Sequence, residues 1–570
     1  MQLTSASSTS VDSLNPPPRT SFAISSDGKR RLKESQFISK NGQKLHSIDP
    51  EKAPYPLSYD RHFLELESLD NRLTSFLRNG TVSFIDFPKD EIPEHCLDLG
   101  CGTGSWVIEA AKEWTECQFV GFDLVNVQVP LKLLERSVAS RVRWVHGNFL
   151  TTKLPFEDDE FDHVHIQHIA RGVPETKWGS LFEEINRVIR PGGSIEMIED
   201  DVFFPTLPRW FTAPRRVRPR RATSVHLPDG TQRGYPDMSD SSTSNFSHDH
   251  ELLESLHASV YEHRFINMKP SALLPSYVST YFRHVTIGPV LSFRMPSIPP
   301  LQPLPPQMAT AYALPLGLDT DSRSSVVTSS PDGRRPFSLS FSSMISDSTT
   351  STTESTTTSS EKSRKQSVSF SFVSEVANAL PAGHIMQNGG SDEIIVQDDS
   401  SASSDMPKQL YTLDTALSVG KPDELPVLVD MDKLQSLNEQ SLAMHLYRSF
   451  QFILASQEAL WEELKDRLRN RRDELETYGW EDDEEFEEPQ NRKKFEELLE
   501  RYRTDMFQRV SLWNSLLGMG WELPTREPLS RAELIEEERM REAMIEARRN
   551  APPEDFTPCR SVRALTGFKP

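Results

Sequence analysis

Basic charge is what this chain has too little of. Its 63 lysines and arginines stand against 84 aspartates and glutamates, a formal net charge of −21 over 570 residues. That balance argues against general electrostatic attraction to nucleic acid or to an anionic membrane surface. Long apolar runs are also missing: none approaches the roughly twenty residues of a membrane span. The opening residues, MQLTSASSTS, have neither the basic start nor the apolar stretch of a secretory leader. The expectation is a chain that is not secreted and works in the cytoplasm, the nucleus or both. Cysteine is scarce. Cys96, Cys101, Cys117 and Cys559 are irregularly spaced, which fits reduced thiols and gives no zinc pattern, so no metal is expected. A mean hydropathy of −0.52, 41 prolines and long serine and threonine runs leave much of the length without the apolar groups that offset ordering entropy, and one main folded unit is expected.

Glycine is concentrated where it matters. Leu97 to Gly104 reads LDLGCGTG, an apolar strand that breaks into three glycines at alternate positions, and Ser105 to Trp114 (SWVIEAAKEW) then turns to helical spacing. Strand, glycine turn and helix open a doubly wound α/β sheet. Such glycines let a ligand lie against bare backbone. About twenty residues on, FVGFD (Phe119 to Asp123) is a second apolar strand ending in a carboxylate, where these folds hold a ribose. The loop is GxGxG followed by Ser105, whereas a dinucleotide site wants GxGxxG. Further markers follow in order: a strand at Val142 to Val145, GNF at Gly147 to Phe149, LPFEDDEFDHVHI at Leu154 to Ile166, and FEEINRVIRPGGSIEMIE at Phe182 to Glu199.

This ordered set resembles the class I S-adenosylmethionine (SAM) methyltransferases, and more loosely the fungal methyltransferases that include regulators of secondary metabolism. The resemblance implies a Rossmann-like doubly wound sheet with SAM as cofactor. It also implies roles by position: Asp98 and the backbone of Gly100, Cys101, Gly102, Thr103 and Gly104 face the methionine moiety. Asp123 accepts the ribose hydroxyls, Leu124 and Phe149 wall the adenine, and Asn148 stands where many members put an acidic residue on the adenine amino group. Gln167, at the cofactor end of the fourth strand, joins this set. An already activated methyl group needs chiefly an aligned acceptor, so no universal catalytic residue is implied. The segment IQHIARG (Ile166 to Gly172) lacks the Asn/Asp-Pro-Pro-aromatic signature of enzymes that methylate amino groups of bases and some glutamines. No cysteine follows a proline, as a cytosine C5 enzyme would require. The acceptor is left as a small molecule or a protein. His165, His168, Glu199, Asp200 and Asp201 end the fourth and fifth strands and are candidates to position or deprotonate it. The plain reading, solvated strand-end groups, stands beside that one.

The organisation expected along the chain is a disordered tail at 1–50 and a methyltransferase domain at 51–294, interrupted at 205–247 by a basic, proline-rich insertion. A Pro/Ser/Thr-rich disordered linker follows at 295–424, then a helical region at 425–550 packed on the core, and a tail at 551–570. Within the first domain, Tyr59 to Leu77 has helical spacing and resembles the helix that commonly covers the cofactor. Ser271 to Phe293 reads as a helix leading into a sixth strand, and Leu425 to Asp430 (LPVLVD) is the best candidate for a seventh. Two apolar stripes, Leu446 to Leu468 and Phe495 to Leu517, carry Trp461 and Trp513 and must be buried. They pack on the core or on each other, with protein partners as the minority reading. PRRVRPRR (Pro214 to Arg221) has the composition of an import signal, and RRATS and RKQS (Ser224, Ser367) fit basophilic kinases. A rival to the enzyme is a regulatory protein that keeps the fold and acts through partners.

Overall fold

The computed structural model describes residues 36–216, 247–304, 410–415, 428–480, 488–521, 526–553 and 556–570. Asn41 and Gly42 both take positive φ, 44° and 84°, the backbone of a two-residue hairpin turn whose twist matches its strands. They join β1 (Phe37–Lys40) to β2 (Gln43–His46). The expected tail through residue 50 is corrected accordingly, while residues 1–35 lie outside the described residues. The Tyr59 to Leu77 stripe is divided into one turn at Arg61–Leu64 and α1 (Glu67–Leu77).

Five strands follow: β3 (His95–Leu99), β4 (Gln118–Asp123), β5 (Val142–His146), β6 (Phe161–Gln167) and β7 (Ile189–Asp200). The inner ones are buried on both faces, as a parallel sheet requires, and the edge strand β5 is half-exposed. All five pair in parallel, in the order β5-β4-β3-β6-β7. α2 (Ser105–Glu113) links β3 to β4 and α3 (Trp178–Val188) leads into β7. The order reverses between β3 and β6, so the loops after these two strands diverge and leave a crevice at their carboxyl ends.

α4 (Glu251–Glu262) and α5 (Pro270–Tyr281) precede two short strands, β8 (Arg283–Ile287) and β9 (Val290–Arg294), and β10 (Tyr411–Asp414) pairs with β9 at the edge. The expected single strand after α5 is thus two. The long C-terminal stripes become α6 (Glu439–Ala455), α7 (Gln457–Asn470) and α8 (Glu488–Val510). The first stripe breaks at Ser456, between α6 and α7. Leu446, Phe450, Trp461, Phe495 and Tyr502 are buried in one cluster with Ile198 of β7, Leu253 of α4 and Phe293 of β9.

The largest departure from expectation is the last segment. Residues 551–570 were expected as a tail, yet β11 (Pro558–Phe568) lies inside the sheet, antiparallel to β7 from Val562↔Asp200 to Phe568↔Ser194, with β8 and β9 on its other side. It is the strand that LPVLVD was expected to supply. Leu428 to Asp430 form no strand, and 425–427 lie outside the described residues. So do residues 217–246 and 305–409, which hold most of PRRVRPRR, both kinase patterns and most of the expected linker, and residues 481–487 of the acidic loop.

β11 carries arginines into the interior, and carboxylates from earlier segments meet them. Arg560 Nη2 lies 2.8 Å from Asp70 Oδ1 of α1 and 3.1 Å from Asp200 Oδ2 of β7. Arg448 of α6 lies 2.6 Å from the same Asp70 oxygen and pairs also with Asp200. All four side chains are buried. Burial pushes the two carboxyls up, but Arg448, Arg560 and His168 together more than offset this and hold both below their ordinary values. Removing one partner from such a network strands the other charges in low dielectric. Arg560→Met is therefore expected to destabilise the protein by about 3–5 kcal/mol, measured by urea unfolding; a loss under about 0.5 kcal/mol, the scale of an ordinary surface change, would contradict the assignment.

Candidate functional site

The crevice is a cavity of about 170 Å³ at the carboxyl ends of β3, β4 and β6. Gly100 and Gly102 take φ of 81° and 52°, left-handed angles that a side chain resists. A Cβ at Gly100 would collide with Ile169, and one at Gly102 with the Glu67 carboxylate. Gly100 and Cys101 donate their N–H groups to Phe122 O of β4, at 2.8 and 3.0 Å, which fixes the loop against the second strand. Asp123 ends that strand, and its Oδ2 accepts from Gly102 N at 2.8 Å. Glu67 reaches the loop from α1: each of its oxygens accepts from Thr103 N at 3.1 Å, and it accepts from the Thr103 hydroxyl as well.

A third carboxyl stands at the end of β3. Asp98 Oδ1 lies 2.9 Å from His165 Nδ1, and His165 Nε2 lies 3.1 Å from Arg78 Nη2, which also pairs with Glu196 at 2.6 Å. Arginine only donates, so His165 Nε2 accepts and its Nδ1–H donates to Asp98. Stacked at 3.8 Å on Trp106 with both nitrogens engaged, His165 is a holder of Asp98. Burial is the main cause that pushes Glu67 and Asp98 up to about 8 and Asp123 up to about 6; Asp123 raises Glu67 further, Asp98 raises Asp123, and Glu196 raises Asp98.

Asp98, Gly100, Cys101, Gly102, Asp123, Leu124, Asn148, Phe149 and Gln167 all line the cavity, as do His165 and His168. Thr103 and Gly104 do not: Thr103 is turned to Glu67, and Gly104 packs against the Trp144 ring. Asn148 donates its amide N–H to Lys52 O at 2.8 Å and accepts from Leu150 N at 2.9 Å, so its side chain serves the local backbone. Gln167 donates to Asn71 Oδ1 at 2.9 Å and keeps a buried Oε1 without a partner.

The remaining acid and base candidates separate. Glu199 lies away from the cavity and accepts from Ile169 N and Ala170 N at 2.8 and 3.2 Å, holding the turn after β6; burial pushes it up to about 8. Asp200 belongs to the ion-pair network and Asp201 bonds Ser271 of α5. His168 is different. It has φ of 58°, lines the cavity, and stands between Asp70 and Asp200 at 3.8 Å each, with neither ring nitrogen hydrogen-bonded. Burial pushes it down to about 4, so the ring is neutral near pH 7. Asp70, His168 and Asp200 bring three donor atoms within 4.8 Å of one another, the spacing of a cation site. Arg448 and Arg560 already neutralise both carboxylates, so a metal dication would meet two guanidiniums there.

Several lining residues lay beyond the sequence reading: Tyr55, Tyr59, Glu67, Asn71, Arg171 and Phe452. Glu67 falls in the segment read as a covering helix, but its charge carried no signal by itself. Phe452 sits off the apolar stripe of α6, some three hundred residues after β6, and no local pattern brings it to the site.

Residues 96–193 match the family model described as a methyltransferase domain. A demethylmenaquinone methyltransferase of Staphylococcus aureus is 34% identical over 113 residues, 20% of this chain and 44% of that protein. A demethylmenaquinone methyltransferase of Bacillus licheniformis is 32% identical over 125 residues, 21% of this chain and 50% of that one. The chain thus spans about half the length of the curated relatives it matches. Among solved structures, geranyl diphosphate C-methyltransferase of Streptomyces coelicolor, in complex with Mg2+, geranyl diphosphate and S-adenosyl-L-homocysteine, is 16% identical, with 41% of this chain and 68% of that one covered at a TM-score of 0.24.

The raised carboxyls give the site a pH signature. An acid whose folded pKa exceeds its unfolded one binds more protons in the folded state, so stability falls as pH rises between the two values. For Glu67 that window runs from about 4.5 to about 8. Glu67→Gln keeps an acceptor for Thr103 N and removes the ionisation. The melting temperature of the variant should decline less steeply than wild type across this window by scanning calorimetry; parallel declines would show that Glu67 is not held protonated.

Proposed function

Because residues 96–193 are a class I SAM-dependent methyltransferase domain with SAM as its cofactor, we propose that this chain transfers the SAM methyl group to an acceptor seated in the part of the cavity bounded by Gln167, His168 and Phe452. One observation carries the reading: three carboxyls, Asp98 buried and Glu67 and Asp123 half-buried, converge on a glycine loop whose backbone a Cβ would block. Crowded acids whose ionisation is suppressed favour a ligand that brings positive charge, and SAM is a cation at both its sulfonium and its ammonium. The bound cofactor supplies an activated methyl group. Asp98, Glu67 and the loop at Gly100 to Gly102 would hold the methionine end. Asp123 would take the ribose hydroxyls, and Leu124, Phe149 and Asn148 would surround the adenine.

His168 is the residue placed to take a proton from the acceptor. Its ring is neutral near pH 7, and Asp70 and Asp200, each already paired with arginines, flank it and offset only part of the burial that lowers its basicity. The intact cradle supports an enzyme over a purely regulatory use of the fold.

Calorimetric titration with SAM tests the cofactor half. Gly102→Val is expected to abolish binding in a soluble protein, and Asp123→Ala to weaken it by about 1–3 kcal/mol through lost charge-assisted hydrogen bonds. Wild-type affinity in either variant would move the site elsewhere. Transfer of labelled methyl from SAM to a cell extract tests the reaction. His168→Gln should lower that transfer by roughly 10²–10⁴-fold while leaving SAM affinity near wild type, and undiminished transfer would remove His168 from the chemistry.

A further inference from the structure

Arg171 is a buried cation with no ion-pair partner among the described residues. It lies in the turn three residues after His168, is 7% exposed, and lines the cavity. Among the described residues no carboxylate lies within 4.0 Å of it, whereas the neighbouring Arg448 and Arg560 have Asp70 and Asp200. Its neighbours are the Tyr261 hydroxyl and the ring of Phe452, whose centroid lies 4.7 Å from the guanidinium carbon. Two carboxyls act on it from beyond ion-pair distance: Glu199, held largely protonated by burial, and Asp200, whose charge Arg448 and Arg560 already share. A guanidinium taken from water without an anion is costly. A ligand that brings the missing anion removes that cost, and fork-shaped donors match a carboxylate in two parallel hydrogen bonds.

The walls beside Arg171 are aromatic. Phe452 is held between Arg171 and Arg448, whose guanidinium carbon lies 4.4 Å from the ring centroid. Tyr55 packs beside Gly172, where a Cβ would come within 3.2 Å of its ring, and its ring centroid is 5.7 Å from that of Tyr59. Phe63 completes the same lining. Flat rings favour a flat, apolar ligand body that can lie against their faces or edges.

We propose that this half of the cavity is a subsite for a small aromatic carboxylic acid, its ring against Tyr55 and Phe452 and its carboxylate on Arg171. The inference rests on the methyltransferase reading and deepens it: the acid is the methyl acceptor, with the group to be methylated turned toward His168. Phe452 belongs to α6, so the C-terminal helices supply part of the acceptor site as well as covering the core.

The test uses the full chain saturated with S-adenosyl-L-homocysteine and titrates it with 4-hydroxybenzoate and with its neutral analogue 4-hydroxybenzamide. The acid is expected to bind about tenfold or more tighter than the amide, the scale of one charge-assisted pair. In Arg171→Met that preference should fall to about one, with S-adenosyl-L-homocysteine affinity unchanged. Phe452→Ala should weaken acid and amide alike. Because Arg171→Met removes a buried charge with no ion-pair partner among the described residues, its melting temperature should equal or exceed that of wild type; a marked drop would assign Arg171 a structural role and overturn the proposal. Equal binding of acid and amide by wild type, no binding of the acid, or a preference that survives Arg171→Met would each overturn the proposal. Failure of S-adenosyl-L-homocysteine itself to bind would instead overturn the methyltransferase reading, so the two failures are separable.

Discussion

Two carboxylates and two guanidiniums, Asp70, Asp200, Arg448 and Arg560, meet in the interior, and each comes from a different part of the chain. Asp70 lies on α1, before the first parallel strand, and Asp200 closes the fifth. Arg448 comes from the C-terminal helices and Arg560 from the final strand. None of these charges tolerates burial alone, and in pairs their mutual attraction offsets the loss of water. The constraint is mutual: the early segments place two anions in the core, and only the late segments bring cations to them. Apolar contact is less discriminating than this, since many helices would cover the same face of the sheet.

The network also sets the site. Glu67 and Asp70 are three residues apart on α1 and so share a face of the helix; anchoring Asp70 places Glu67 on the glycine loop. Arg448 and Phe452 are four apart on α6, so the helix face that binds Asp70 and Asp200 also carries the aromatic wall of the half proposed for the acceptor. His168, at its left-handed φ, stands between the two carboxylates of the same network. The cofactor half of the cavity is made by loops of the parallel sheet. The half proposed for the acceptor is lined by Tyr55, by the turn after β6 and by Phe452, so the C-terminal helices supply one wall of it.

This division explains what was legible in the sequence. The cofactor half was readable because its physics is local: alternating glycines after a strand, a carboxylate at the end of the next, and a PGG turn are fixed within short stretches of chain. β11 was not readable. PCRSVRALTGF looks like a polar tail, because the burial of Arg560 and Arg563 is made acceptable only by Asp70, Asp200 and backbone carbonyls hundreds of residues away. Leu425 to Asp430 had the apolar composition of a strand, but the place beside β7 that it was expected to fill is taken by β11. The β1–β2 hairpin did carry a local signal, the Asn41-Gly42 pair, but its polar surroundings read as a tail. His165 and Glu199 were found as polar groups at strand ends, and only their partners show that they hold Asp98 and the turn after β6.

The central claim is that the helices and final strand after residue 430 complete the methyltransferase domain and are not a separable module. Expressing residues 1–430 alone and measuring SAM binding by calorimetry, with size-exclusion chromatography and thermal unfolding on the same sample, tests this most directly. The account predicts an aggregated or non-cooperatively unfolding protein with no measurable SAM affinity, because Asp70 and Asp200 are left without Arg448 and Arg560 and the face under α6 to α8 is exposed. A monomer that melts like the full chain and binds SAM equally well would contradict it.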